Sequence, residues 1–314
     1  MWLGYPGSEW RGIGMNTFAD SPSWAPSSYR DVHLTRGADL LGIGLEIGAA
    51  NNPILGSARC KFVDYADTDT IKDRLRNSGY AHADSVVDID YVWPGSGSLS
   101  AVVGSQRFQY AIASHVIEHV PNPLGWFRGV GEVLIPGGVF NLAIPDKRFT
   151  FDIACPESSL GELIEADLQS FVRPSARQVF DSCYYGKAVE PGEPWFSDID
   201  LSNTPPYSGA IAPQLAFDQA RRAIDGEYFD SHCWAFTPRS FLNLLTGACG
   251  LGLFDYLLRD FHPTIEGKFE FFLSLEKPPT VIDRAELRKL QLDQLAFFQL
   301  AISNRDRIFR LLAE

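Results

Sequence analysis

The chain has 314 residues, 45% hydrophobic and 21% charged, with a formal net charge of −12. That length holds one large domain with an elaboration, or two small ones, and the apolar content excludes a disordered chain. The acidic balance disfavours nucleic acid as a partner, because polyanions need a basic surface. It leaves small molecules and uncharged glycans open.

The five cysteines, Cys60, Cys155, Cys183, Cys233 and Cys249, are scattered and form no CxxC pair. They signal neither a disulfide framework nor a zinc site, and a reducing cytoplasm is expected. The N-terminus lacks a basic region followed by an apolar run, and the chain has no apolar stretch of about 18 residues, so neither a signal peptide nor a membrane span is expected.

Residues 1–27 are rich in Gly, Pro, Ser and Trp and read as an irregular arm. It is either a surface extension or a flap whose Trp2, Tyr5, Trp10 and Trp24 fold over a substrate. Residues 28–41 read as a helix. I-G-L-E-I-G (43–48) reads as a buried strand ending in a turn. K-F-V-D-Y (61–65) is a second strand, and 68–77 a helix with Asp69 or Thr68 as N-cap. S-V-V-D-I-D (85–90) reads as a third strand and F-Q-Y-A-I-A-S (108–114) as a fourth, apolar enough for a central parallel strand. A helix over 122–134 stops at I-P-G-G (135–138), and V-F-N-L-A-I-P (139–145) is a fifth strand.

Strands alternating with helices predict an α/β fold, a Rossmann-like, mostly parallel seven-stranded sheet with helices on both faces and an antiparallel last strand. The alternation breaks over 151–231, which reads as an inserted helical and loop region that caps the core and binds the acceptor. It resumes with a helix over 236–245 and strands over 253–261 and 268–275. The core is therefore 28–150 plus 232–277. Residues 278–314 carry an amphipathic helix with Leu287, Leu290, Leu295, Phe298 and Ile302 on one stripe. That stripe packs on its own domain or forms a homodimer contact.

In G-L-E-I-G-A-A-N-N-P (44–53), Gly48 permits close approach of a ligand to the backbone. Asn52 suits an N-cap and Pro53 a first helical position, which would present free N–H groups to a carboxylate. Eighteen residues after Glu46 comes Asp64, an acid placed to accept hydrogen bonds from a ribose diol. A dinucleotide site is the rival, but Pro53 falls near where its third glycine belongs.

The ordered set E-I-G-A-A-N-N-P, V-D-Y-A-D, A-S-H-V-I-E-H-V and L-I-P-G-G resembles the class I S-adenosylmethionine-dependent methyltransferases, in the subgroup with the E-x-G-x-x-x-x-P first motif. A-I-P-D-K-R-F-T-F-D and W-A-F-T-P-R-S-F also look like subgroup features. The resemblance spans roughly 40–150 and 232–275. It implies that Glu46, Gly48, Ala49 and Asn52 hold the amino-acid end of S-adenosyl-L-methionine. Asp64, with Tyr65 beside it, would hold the ribose, Ser98 and Leu99 would flank the adenine, and Ser114 and His115 would lie nearest the methyl group. Departures are Ala50 in place of a second glycine and Gln109 in strand four. No Asp–Pro–Pro–Tyr motif follows that strand, which disfavours methylation of amide nitrogens.

An imidazole suits proton removal near pH 7. His115 and His232 are the candidate bases. H-V-I-E-H places Glu118 and His119 at a spacing that mimics a metal pair; it reads as structural here, and no metal is expected. Asp146, Lys147, Arg148 and Asp152 follow strand five, at the strand end where open sheets bind ligands, and are candidate acceptor-binding residues. Trp195 and Tyr207 in the insertion are candidates for stacking on a sugar, or pack on their own loops.

The subgroup resembles methyltransferases encoded with glycan and surface-polysaccharide enzymes. The expected function is O-methylation of a sugar, glycan or similar small hydroxyl compound in the cytoplasm. A natural-product or other metabolite methyltransferase, a non-catalytic cofactor-binding scaffold and a nicotinamide-dependent enzyme are the alternatives.

Overall fold

The computed structural model describes residues 28–313; the arm at 1–27, with its four candidate aromatic residues, lies outside them. The described strands are β1 (Gly44–Ile47), β2 (Cys60–Asp64), β3 (Tyr91–Val92), β4 (Phe108–Ser114), β5 (Leu134–Pro145), β6 (Leu257–His262) and β7 (Glu270–Glu276). They form one sheet in the order β3-β2-β1-β4-β5-β7-β6. β1 to β5 run parallel, and β7 is antiparallel to both β5 and β6. The expected α/β architecture is the observed one. Leu45, Ala111, Phe140 and Ile144 have no exposed surface, as central parallel strands covered on both faces require.

The helices are α1 (Tyr29–Leu34), α2 (Thr68–Asn77), α3 (Leu99–Val103), α4 (Pro123–Val133), α5 (Leu160–Leu168), α6 (Ala176–Tyr185), α7 (Ala212–Ile224), α8 (Pro238–Leu251) and α9 (Arg284–Ala313). Their starts are written in local chemistry. Ser28, Ser159, Ser175 and Thr237 each close a capping box, and Pro238 fills the first position of α8. Residues 151–231 contain α5, α6, α7 and 3₁₀ turns, and no strand of the sheet. Leu163 and Ala166 of α5 nevertheless belong to the main core.

Several expectations shift. The third strand is the two residues Tyr91–Val92, not 85–90. Val86 and Ile89 are drawn instead into a small core with Ile71 and Leu75 of α2, and this holds the segment off the ladder. α1 ends at Leu34 rather than 41, the N-cap of α2 is Asp67, and β6 begins at Leu257. I-P-G-G is already within β5, where it forms the irregularity in its pairing with β4, between the Leu134 and Val139 pairs. The link from Gly48 to β2 contains turns and no helix, so Asn52 and Pro53 open none. α9 packs on its own domain through Leu295 and Ile302, and Gln291 bonds the carbonyls of Phe254 and Tyr256 at 2.8 and 2.9 Å.

Candidate active site

The chain leaves β1 towards β2 on one side and β4 towards β5 on the other. The sheet order therefore reverses between β1 and β4, and open sheets bind ligands outside the carboxyl ends of the strands at that switch point. Gly48 directly follows β1 with φ +69°, and a Cβ there would lie 2.6 Å from Val116, so both the turn and the packing demand glycine. Glu46 is 3% exposed and accepts hydrogen bonds from the N–H groups of Ile54 at 2.8 Å and Leu55 at 3.3 Å. The carboxylate thus braces the turn from within. Burial raises its pKa to about 7, against the opposing pull of those two bonds. Ala49 is buried, and Asn52 closes a tight turn by donating its N–H to the Ala49 carbonyl.

Asp64 ends β2. Its Oδ1 accepts the N–H of Tyr65 at 2.8 Å, the one hydrogen bond recorded for its carboxylate among the described residues. Burial, with some repulsion from Asp230, raises its pKa to about 6. Beside it Tyr65 stacks on Tyr228 with ring centroids 6.2 Å apart, and Arg74 lies over both rings. Across the switch point, Arg30 of α1 donates to Ser114 Oγ at the end of β4 at 2.9 Å. The same guanidinium lies 4.0 Å from Glu270. Arg30 was not foreseen: it lies 84 residues from Ser114, and no spacing rule links them.

The turn after β4 carries the densest chemistry. His115 adopts φ +52°, and its Nε2 lies 2.6 Å from Glu270. Its Nδ1 lies 3.6 Å from Glu118, and the residue is 4% exposed. His115 is thus wedged between two carboxylates inside the fold. Glu270 stays below the usual carboxylate range even though burial opposes this, because His115 and Arg30 outweigh it.

His119 and His232 meet edge to face with ring centroids 4.6 Å apart. Each has an aspartate on Nδ1: Asp230 stands 3.0 Å from His119, and Asp152 2.6 Å from His232. Burial lowers the pKa of His119. Burial also pulls His232 down, but Asp152, Glu118 and Asp230 outweigh it and the net shift is upward. Two chain segments converge here because the N–H of Cys233 bonds the carbonyl of Glu118 at 2.6 Å. Asp230 and His232 sit two apart in the segment 229–234, which is neither helix nor paired strand, and an extended stretch would turn both to one side. That spacing was the available signal for Asp230. Glu118 and His119, read from sequence as structural, are members of the cluster.

The remaining candidates are more fully engaged. Asp146 is wholly buried and holds Arg148 at 2.6 Å and Thr264 at 2.8 Å, while Lys147 donates to the carbonyl of Ile153 at 3.0 Å. All three tie down the loop after β5. Trp195 stacks on Phe149 at 4.1 Å and donates to the Lys268 carbonyl, and Tyr207 stacks on Phe151. Ser98 caps α3 and bonds Glu132 at 2.6 Å, and Leu99 has no exposed surface. Of the acceptor candidates, Asp152 alone joins the histidine cluster.

An open sheet with this strand order and an acid at the end of β2 defines the Rossmann-like class of methyltransferase folds. The methyltransferase domain family matches residues 25–250, and the chain belongs to it. A search of curated proteins finds no match. Among solved structures, the chain is similar to the CurJ carbon methyltransferase, at 13% identity over 76% of this chain and 49% of that one, with a TM-score of 0.35. It is also similar to the StiE O-methyltransferase segment, at 15% identity over 84% and 78%, TM-score 0.34. A third is an S-adenosylmethionine-dependent methyltransferase from Clostridium acetobutylicum ATCC 824, at 8% identity over 75% and 84%, TM-score 0.36. The chain spans about half the length of the first of these.

The residues at the switch point fit S-adenosylmethionine. Asp64 offers an acceptor at the end of β2 for a ribose diol, and Arg30 offers a cation near the end of β4 for the carboxylate of the amino-acid end. No membrane-spanning helix occurs among the described residues.

Proposed function

We propose that the chain transfers the methyl group of S-adenosylmethionine to a hydroxyl oxygen of a sugar, glycan or similar small polyhydroxylated compound. The observation that carries this reading is the pair of aspartate-held imidazoles, His232–Asp152 and His119–Asp230, beside the end of β4. When bound, the cofactor supplies an electrophilic methyl group on sulfur. Arg30 would hold the amino-acid carboxylate and Asp64 the ribose of the cofactor. Nε2 of His232 would take up the proton of the acceptor hydroxyl. Asp152, on Nδ1, fixes the ring and its tautomer. His115, wedged between Glu270 and Glu118, shapes the turn.

Uncharged acceptors agree with the net charge of −12. The test is a labelled-methyl screen across sugars, glycosides, other metabolite hydroxyls, amines and carbon acids, with the product methylation site identified. Oxygen methylation of a polyhydroxylated acceptor, lost in His232→Ala but much less affected in His115→Gln, is expected. Transfer to nitrogen or carbon alone, or a His232→Ala enzyme with full turnover, overturns the reading.

A further inference from the structure

The histidine cluster contains a feature that proton transfer does not use. Glu118 is 1% exposed, and among the described residues neither of its carboxylate oxygens accepts a hydrogen bond. The nearest cation candidate, Nδ1 of His115, is 3.6 Å from Oε1, beyond hydrogen-bond range. A buried carboxylate with no hydrogen bond is costly, and folds tolerate it where it is paired with a cation or coordinates one. One ligand atom from each of Glu118, His119 and His232 lies within 4.8 Å of the others.

The surroundings of the two imidazoles have the form of a metal site. Metal-ligating histidines characteristically donate their second ring nitrogen to a carboxylate, which fixes the tautomer and strengthens the ligand. Here Asp230 holds Nδ1 of His119 and Asp152 holds Nδ1 of His232. Among the described residues neither Nε2 has a hydrogen-bond partner, which leaves both atoms for a ligand. From these observations we infer that Glu118, His119 and His232 form a binding site for a divalent first-row transition metal. Two imidazoles and one carboxylate suit Zn²⁺, Mn²⁺ or Fe²⁺ better than Mg²⁺ or Ca²⁺, which prefer all-oxygen shells. Three protein ligands leave further positions open, which marks a catalytic rather than a structural site.

The site itself stands on geometry alone; its use in the reaction rests on the hydroxyl acceptor proposed above. In the metal-loaded protein, His232 is a ligand and no longer the proton acceptor. An acceptor hydroxyl on the open position loses its proton to solvent, because a divalent cation lowers the pKa of a bound hydroxyl. The oxygen–methyl bond then forms as the sulfur–methyl bond breaks.

The test uses the full chain without an affinity tag, stripped with a chelator, desalted and titrated calorimetrically with Zn²⁺ and, separately, with Mn²⁺. We expect one equivalent of at least one of the two metals to bind per chain. Glu118→Gln, which preserves shape, and His119→Gln should each weaken that binding by roughly a hundredfold. Both should keep S-adenosylmethionine binding, which shows that they fold. Co²⁺-loaded wild-type protein should show visible ligand-field absorption of a four- or five-coordinate ion, a readout independent of any variant. Absence of stoichiometric binding, affinity unchanged in Glu118→Gln, or no Co²⁺ band overturns the site. Failure of the hydroxyl reading is seen separately, as a lack of O-methyl product with or without added metal while metal binding persists.

Discussion

Asp64 stands at the end of β2 with its carboxyl raised to about 6 by burial. The fold favours its protonated form, so the group's contribution to stability is fully present below about pH 4 and is lost as pH rises through 6. Asp64→Asn should therefore stabilise the free protein at pH 7–8, by up to about 3 kcal/mol, with the gain vanishing near pH 4. Thermal melts across pH check this, and a gain that persists at pH 4 would contradict it. The same substitution should weaken S-adenosylmethionine binding by roughly 1–3 kcal/mol in calorimetry, through loss of the charged acceptor for the ribose. A buried acid that costs stability in the empty protein is a candidate ligand group by physical criteria. Gly48 gives the converse case. Gly48→Ala adds a Cβ 2.6 Å from Val116 at a φ of +69°, so a loss of about 2 kcal/mol or more is expected in denaturant melts.

At the scale of elements, the β1–β2 link shows how a motif's letters and its conformation separate. Asn52 and Pro53 have the chemistry of a helix start, but no helix forms. The N–H groups of Ile54 and Leu55 are taken by the Glu46 carboxylate instead. The acid of the motif is thus a brace for the ligand turn. Glu46→Ala should leave those two groups unpaired and cost roughly 2–4 kcal/mol. Faster amide exchange confined first to Ile54 and Leu55 should accompany that loss. Exchange unchanged at both positions would remove the bracing role. The turn after β4 behaves similarly. S-H-V-I-E-H marked the site, but His115 is turned inward onto Glu270, whereas Glu118 and His119 face His232.

Across the whole molecule, α9 is fastened to the sheet by a polar bond as well as by its apolar stripe. Gln291, 3% exposed, donates to the carbonyls of Phe254 and Tyr256. Gln291→Leu should leave both carbonyls unsatisfied and lower stability by roughly 1–3 kcal/mol. The melting temperature checks this, and S-adenosylmethionine affinity should be retained, because α9 packs against β6 and not at the carboxyl ends of β1 and β4. Insertion residues also serve more than one layer: α5 packs into the main core, while Asp230 and Asp152 orient the two histidines from opposite ends of that segment.

Local chemistry was enough to read the alternation of strands and helices, the proline in the first turn of α8, the turn at Gly48 and the acid that ends β2. Each depends on residues within a few positions of one another, where periodicity and capping act. The short third strand was not legible, because Val86 and Ile89 had two apolar surfaces to choose between, and packing against α2 decided it. Nor were the Arg30–Ser114 contact and the assembly of Glu118, His119, Asp152, Asp230 and His232. Those groups lie up to 114 residues apart, and only the closing of the sheet, with Cys233 hydrogen-bonded to Glu118, brings them together. Sequence by itself determined that this chain builds a methyltransferase-domain fold. Tertiary structure decided which histidine is wedged between Glu270 and Glu118 and which two, each held by an aspartate, lie beside the buried carboxylate of Glu118.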